Sequence, residues 1–159
     1  MDASELERIF LAASEAARRA RHEYVTVEHL LLTLLEDEAV AEVVQGCGAD
    51  LEALRQRVAR FLEREHQPHL AEGAQPIPTL AVRRVVQRAA LHVEAAGKER
   101  VRAEDLFVAL YTEEGSHALF FLREAGLERL DVVSYIAHGR PAEEEGPGPE
   151  GEPEGEGEG

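Results

Sequence analysis

Carboxylates and arginines at helix starts are the residues of this 159-residue chain best placed to do chemistry. Glu28 falls two places after Thr26 and opens a leucine-rich run, Val27 to Leu35. Thr26 has the type and position of an N-cap, whose hydroxyl accepts from a free backbone N–H of the first turn. A carboxylate there complements the helix dipole. The functional alternative is a recognition surface that uses fixed carboxylates and helix N-termini. Glu104 stands at the matching place in a second copy of the run, and Glu23 and Glu99 precede the two copies. Thr79 caps a further helix on which Arg84 and Arg88 share a face at i, i+4 spacing. The plain reading of that face is a solvated one.

The remaining candidates point to less. Glu63-x-x-His66 has the spacing used by helical metal centres, with His69 nearby, but such centres need matching pairs on facing helices. A structural zinc site would bring cysteines and a closed set of four ligands. Metal binding by His22, Glu63, His66 or His69 therefore stays open, and no metal or cofactor is assigned. His29 and His92 lie in apolar helices and read as buried or half-buried spacers. Cys47, between Gly46 and Gly48, reads as a small packing residue. The chain contains no Gly-x-x-x-x-Gly-Lys-Ser/Thr phosphate loop, no Gly-x-Ser-x-Gly and no His-Glu-x-x-His. No catalytic residue is assigned.

The elements that must position these groups are helices, and they come twice. Val25, Glu28, Leu30 and Leu34 recur as Val101, Glu104, Leu106 and Leu110, each 76 positions later. The same shift sets Ile9 on Val85, Phe10 on Val86, Ala13 on Ala89 and Ala20 on Ala96. One duplication of this length implies two similar halves that bury their apolar faces on each other. Ser4 and Glu7 form a capping box for a first helix with Leu6, Ile9, Phe10, Ala13 and Ala17 on its inner side. The leucine run is too continuous for a one-sided surface helix and predicts burial on most of its circumference. A short helix is expected over Val40–Gln45. Asp50 caps a fourth, with Leu51, Leu54, Val58, Phe61 and Leu62 inward. Thr79 opens the fifth, with Val82, Val85, Val86, Ala89 and Val93 inward, and the sixth runs from Ala103 to Thr112. Ser116 starts a seventh, and Leu130, Val133 and Ile136 mark the eighth, which ends near Gly139. No segment alternates long enough to predict a strand. The expected fold is all-α: eight helices in two pseudo-symmetric four-helix repeats, about 4–65 and 79–139, forming one domain over 1–140.

Between the halves, residues 66–78 carry three prolines and Gly73 and read as a mobile connection. Residues 141–159 hold only Glu, Gly, Pro and one Ala, and such a segment is expected to be a disordered linker or tail. As a flexible chain it would reach roughly 20–25 Å, further with charge repulsion. Net charge is −15, and the eight glutamates of that tail supply more than half of it. An acidic body speaks against nucleic-acid binding, where basic patches supply most of the affinity. A lone cysteine permits no intrachain disulfide and fits a reducing compartment. With no long apolar run and no signal-peptide pattern, the chain is expected to be soluble, cytoplasmic and without a membrane partner.

Thr26-x-Glu28-His29-Leu30-Leu31-x-x-Leu34-Leu35 resembles the strongest motif of the Clp N-terminal (double Clp repeat) domains of AAA+ unfoldases. Arg21-His22-Glu23-Tyr24, Asp50-Leu51-x-Ala53-Leu54-Arg55-Gln56, Arg84-Val85-x-Gln87-Arg88-Ala89 and the run Arg129 to Gly139 are most similar to the ClpA type. The similarity covers residues 4–139. The second repeat departs from the motif, with Arg102 for the capping threonine and Asp105 for the histidine. The resemblance implies a chaperone-class docking module in proteolysis, on an ATP-driven unfoldase that feeds a ClpP peptidase, and binding of the ClpS adaptor and protein substrates. It carries adaptor contact onto Glu23, Glu28, Thr79, Arg84 and Arg88. In ClpC-type relatives the same fold docks phosphorylated arginine, which would fall on Thr26, Glu28 and Glu104. The chain is either an excised domain or a free-standing ClpS-binding protein.

Overall fold

A computed structural model describes residues 4–65 and 67–140; the tail at 141–159 and His66 lie outside them. Helices α1 (Glu5–Arg19), α2 (Val27–Leu35), α3 (Glu38–Gly46) and α4 (Leu51–Arg64) form the first half. Helices α5 (Leu80–Ala95), α6 (Ala103–Ala109, extended by a tight turn over Leu110–Thr112), α7 (His117–Glu124) and α8 (Arg129–His138) form the second. The all-α fold and its eight helices match the expectation from sequence.

Local chemistry sets most of the helix starts. Ser4 and Glu7 close a reciprocal capping box on α1, and Thr26, Asp50, Thr79 and Ser116 each accept from an N–H of the first turn they precede. Helix α3 starts two residues before the expected Val40, because the carboxylate of Asp37 accepts from both Ala39 and Val40. Helix α6 has no side-chain cap from Arg102, and Asp105 instead accepts from the Arg102 amide at 2.9 Å. Helix α8 ends on Gly139 in the left-handed conformation, φ 76°.

Packing follows the repeat. Helix α1 lies on α2 as α5 lies on α6. Across the halves α2 meets α7 while α3 meets α6, and α4 meets α7 while α3 meets α8. Leu30, Leu31, Leu34 and Leu35 from α2 and Leu106, Phe107 and Leu110 from the second copy are all essentially sealed from solvent. At the α3–α8 contact the Tyr135 ring occupies the space a Cβ on Gly46 would need, so a larger residue there would have to displace that ring.

Several expectations need correction. Two short strands, β1 (Tyr24–Val25) and β2 (Ile77–Pro78), pair in parallel, with Tyr24 opposite Ile77. The connection between the halves is therefore tied down at Pro68, Leu70, Ile77 and Thr79. Glu23 N–H donates to Pro68, Leu70 to Arg21, Ile77 to Glu23 and Thr79 to Val25. In α8 the buried residue is Val132, while Leu130 and Ile136 are exposed. Phe61 and Val86 are only half-buried, and His92 is exposed. Among the described residues no helix is long and apolar enough to cross a membrane.

Candidate docking surface

The β1–β2 ladder brings two of the candidate residues together. Glu23 accepts from the Ile77 amide, and two residues on Thr79 donates to Val25 and starts α5. Glu23 and Thr79, remote in sequence, thus flank one edge of the fold. Arg84 and Arg88 follow on α5, with 44% and 46% of their side chains exposed. Both guanidinium groups are fixed by one carboxylate, Glu113. Arg84 donates to it twice, at 3.0 and 2.8 Å, and Arg88 donates to Glu113 at 3.2 Å and to Thr112 Oγ1 at 2.7 Å. The forked contact is the geometry in which arginine gains most from a carboxylate. Hydrogen bonding from Arg84 holds the Glu113 carboxyl below its usual range, and the same bond raises Arg84. The two arginines are therefore presented in set positions.

Glu113 follows the tight turn after α6 and carries no motif that would mark it in the sequence. Exposed Tyr24, Ile77 and Leu80 lie along the same edge and give it an apolar strip. The Glu113 clamp leads to a checkable expectation. A carboxyl held below its usual pKa contributes stability that is complete above about 4.5 and fades as pH falls through the lowered value. Glu113→Gln should lower stability by about 1 kcal/mol near neutral pH, since the arginine partners are half exposed. Thermal melts should show that difference constant down to about pH 5 and shrinking as the pH falls below 4.5 through the lowered value. An undiminished gap at the lowest pH would mean the clamp acts through something other than charge.

The other candidates are placed differently. Glu28 is buried, 7% exposed, and accepts from the Ala118 amide at the start of α7 at 2.9 Å. It joins the halves from inside, out of reach of a docked protein. Thr26 is engaged by His29, whose amide donates to the threonine hydroxyl and whose Nδ1 accepts from the Thr26 amide at 3.0 Å. Glu104 is half-buried with Oε1 unpartnered, and the Ala103 amide beside it donates to Glu5 at 3.0 Å. Cys47 is half-buried beside the Asp131 carbonyl, and burial raises its thiol pKa, as suits a packing residue. Among the described residues no group of three or more His, Cys, Asp or Glu is placed to hold a metal.

A second feature is a groove of about 750 Å³ between α1 and α5, lined by Leu6, Phe10 and Leu11 on one side and Arg83, Val86 and Gln87 on the other. It is largely apolar and open to solvent, and Leu11 is 65% exposed.

The described residues thus form a duplicated helical domain with a charged edge and an apolar groove. Residues 3–125 match the family described as the Clp repeat (R) N-terminal domain, and the chain belongs to it. It is 39% identical over 138 residues to the ClpA homolog protein of Fuscovulum blasticum, covering 86% of this chain and 17% of that relative. The chain thus spans only a small part of that relative's length. The fold is similar to the Hsp104 N-terminal domain from Candida albicans, with TM-score 0.71, 17% identity and coverage of 89% of this chain and 95% of that one. It is also similar to a ClpV N-domain in complex with VipB peptide, with TM-score 0.64, 22% identity and coverage of 83% and 82%.

Proposed function

We propose that this domain is the adaptor- and substrate-docking N-domain of a ClpA-like AAA+ unfoldase, and that it binds the ClpS adaptor through Glu23, Thr79, Arg84 and Arg88. The parent protein would be a cytoplasmic ATPase that hands unfolded chains to ClpP. The observation that carries this reading is the ladder that sets Glu23 beside Thr79 on the helix presenting Arg84 and Arg88. Its likeness to a ClpA homolog supports the choice of adaptor. A face with both signs of charge and an apolar strip suits a reversible interface steered by electrostatics. The α1–α5 groove, by analogy with the peptide complex of a ClpV N-domain, would take apolar segments of protein substrates.

Calorimetric titration with ClpS tests the adaptor face. Glu23→Lys and Arg88→Glu should each weaken binding by roughly tenfold or more, the loss growing as salt is lowered. Unchanged affinity for both variants would refute the assignment.

The geometry does not favour phosphoarginine docking. In α2 the carboxylate of Glu28 is already committed to α7, and the amide at the start of α6 is already taken by Glu5.

A further inference from the structure

His22 and His29 are both buried, 9% and 2% exposed, and His22 Nδ1 lies 2.9 Å from His29 Nε2. We propose that this neutral imidazole pair is an acid-releasable clasp, holding residues 21–25 against the connection 67–79.

The protons can be placed from the hydrogen bonds. The Thr26 amide donates to His29 Nδ1, so that nitrogen is bare and the proton of the neutral ring sits on Nε2. Nε2–H then donates to His22 Nδ1, which must also be bare. Each ring thus uses its lone pair to accept an N–H, and a second proton on His22 Nδ1 has no acceptor, whereas His29 Nδ1 also lies 2.9 Å from the Thr26 hydroxyl. The same tautomer leaves His29 without a free lone pair for a metal. Protonating His22 at Nδ1 sets two N–H groups against each other and strands the His29 donor in a buried site.

The pair's surroundings give a proton little help. On the cavity beside it α1, α2 and α4 present Ala16, Ala20, Leu32, Ala59 and Leu62, with Glu63 of α4 the one charged group among them. From the connection His69 pairs with His22 through a backbone bridge, and its imidazole is near enough to disfavour charge on His22. Burial and then that neighbour lower His22, and burial lowers His29 to about 4. The residue before the clasp, Arg21, has φ 61°, a conformation disfavoured for any side chain with a Cβ. Release of His22 would let it relax. The four backbone bonds that join 21–25 to 68–79 open with it.

The sign follows from linkage. A neutral buried histidine contributes stability that is complete above about 6.5 and is lost progressively as pH falls toward its lowered folded pKa. For one such proton, closure weakens roughly tenfold between about pH 7.5 and 5.5.

Amide exchange on the whole chain, followed by NMR, reads this at the Ile77 and Thr79 amides. Their protection factors should fall roughly tenfold over that range, while core amides of α2 hold theirs. His22→Asn places a non-titrating oxygen at the acceptor position and should abolish the fall. His69→Asn should leave it intact. Constant protection in the wild type, or an equal fall in His22→Asn, overturns the clasp. Should His22→Asn fail to fold, nitrogen shifts of the wild-type rings decide instead: bare Nδ1 on both at neutral pH supports the clasp, and a protonated His29 Nδ1 refutes it. The outcome is independent of whether ClpS docks on this edge.

Discussion

Replacing Phe107 by alanine should cost about 3–5 kcal/mol, the largest loss expected from any single substitution here. Phe107 lies on α6, is completely sealed and meets the Tyr111 ring edge-on at 6.2 Å. Its neighbourhood cannot collapse into the space. Tyr111 is pinned by a buried hydrogen bond to the Leu127 carbonyl at 2.7 Å, and the facing leucines of α2 are held by their own contacts. A domain of this size is stable by roughly 5–15 kcal/mol, so the variant would be near the limit of folding at physiological temperature. Urea denaturation measures it. A loss below about 1 kcal/mol would show that the core is looser than its burial implies.

Glu28→Ala should cost roughly 1.5–3 kcal/mol, because a charged acceptor is removed from a buried amide that has no other partner to turn to. The Ala118 N–H it serves is one of the free donors of α7, and removing the carboxylate leaves that donor stranded between the halves. Glu28→Gln retains an oxygen and should recover much of the loss. A second readout comes from Glu65, whose carboxyl is raised by burial first and by the Glu28 charge second. In Glu28→Ala its titration should move back toward the ordinary range. Adaptor affinity per folded molecule should stay unchanged; if it drops while stability does not, Glu28 belongs to the docking edge after all.

The contrast between these residues shows what the sequence made legible. The capping residues Ser4, Thr26, Asp50, Thr79 and Ser116 could be read because a cap acts within three residues of itself. The burial of α2 showed in its unbroken leucines. Helix α8 has apolar residues all round, at Leu130, Val132, Val133, Tyr135 and Ile136, so spacing alone could not tell which side faced in. Strands of two residues leave no alternation to detect, so nothing in the sequence marks the ladder that ties the connection down. Glu28 was legible as a first-turn carboxylate, but its partner is 90 positions away. Glu113 and its two arginines are joined over 25 and 29 positions, with no local pattern to betray them. Long-range partners are set by the packing of the halves, which the repeat implied without giving its register.

That packing has the form of an isologous dimer held within one chain. Helix α2 touches α7 as α6 touches α3, and α4 touches α7 as α8 touches α3, the reciprocal pattern of a two-fold axis. In a true homodimer every change appears twice, so neither side of a contact can specialise without the other. Covalent fusion removes that constraint. Glu28 has kept its bond across the axis, whereas Glu104, its counterpart, has an oxygen with no partner. The capping pair of Thr26 and His29 has become Arg102 and Asp105 in the other half, and Asp105 now holds Lys98 at 3.1 Å. The first half has thereby kept the hydrogen bonds of the frame, and the second has been freed to carry Arg84, Arg88 and Glu113 on its surface. Symmetry supplied the core of this domain, and its breaking sets the charged edge of α5 apart from its counterpart on α1.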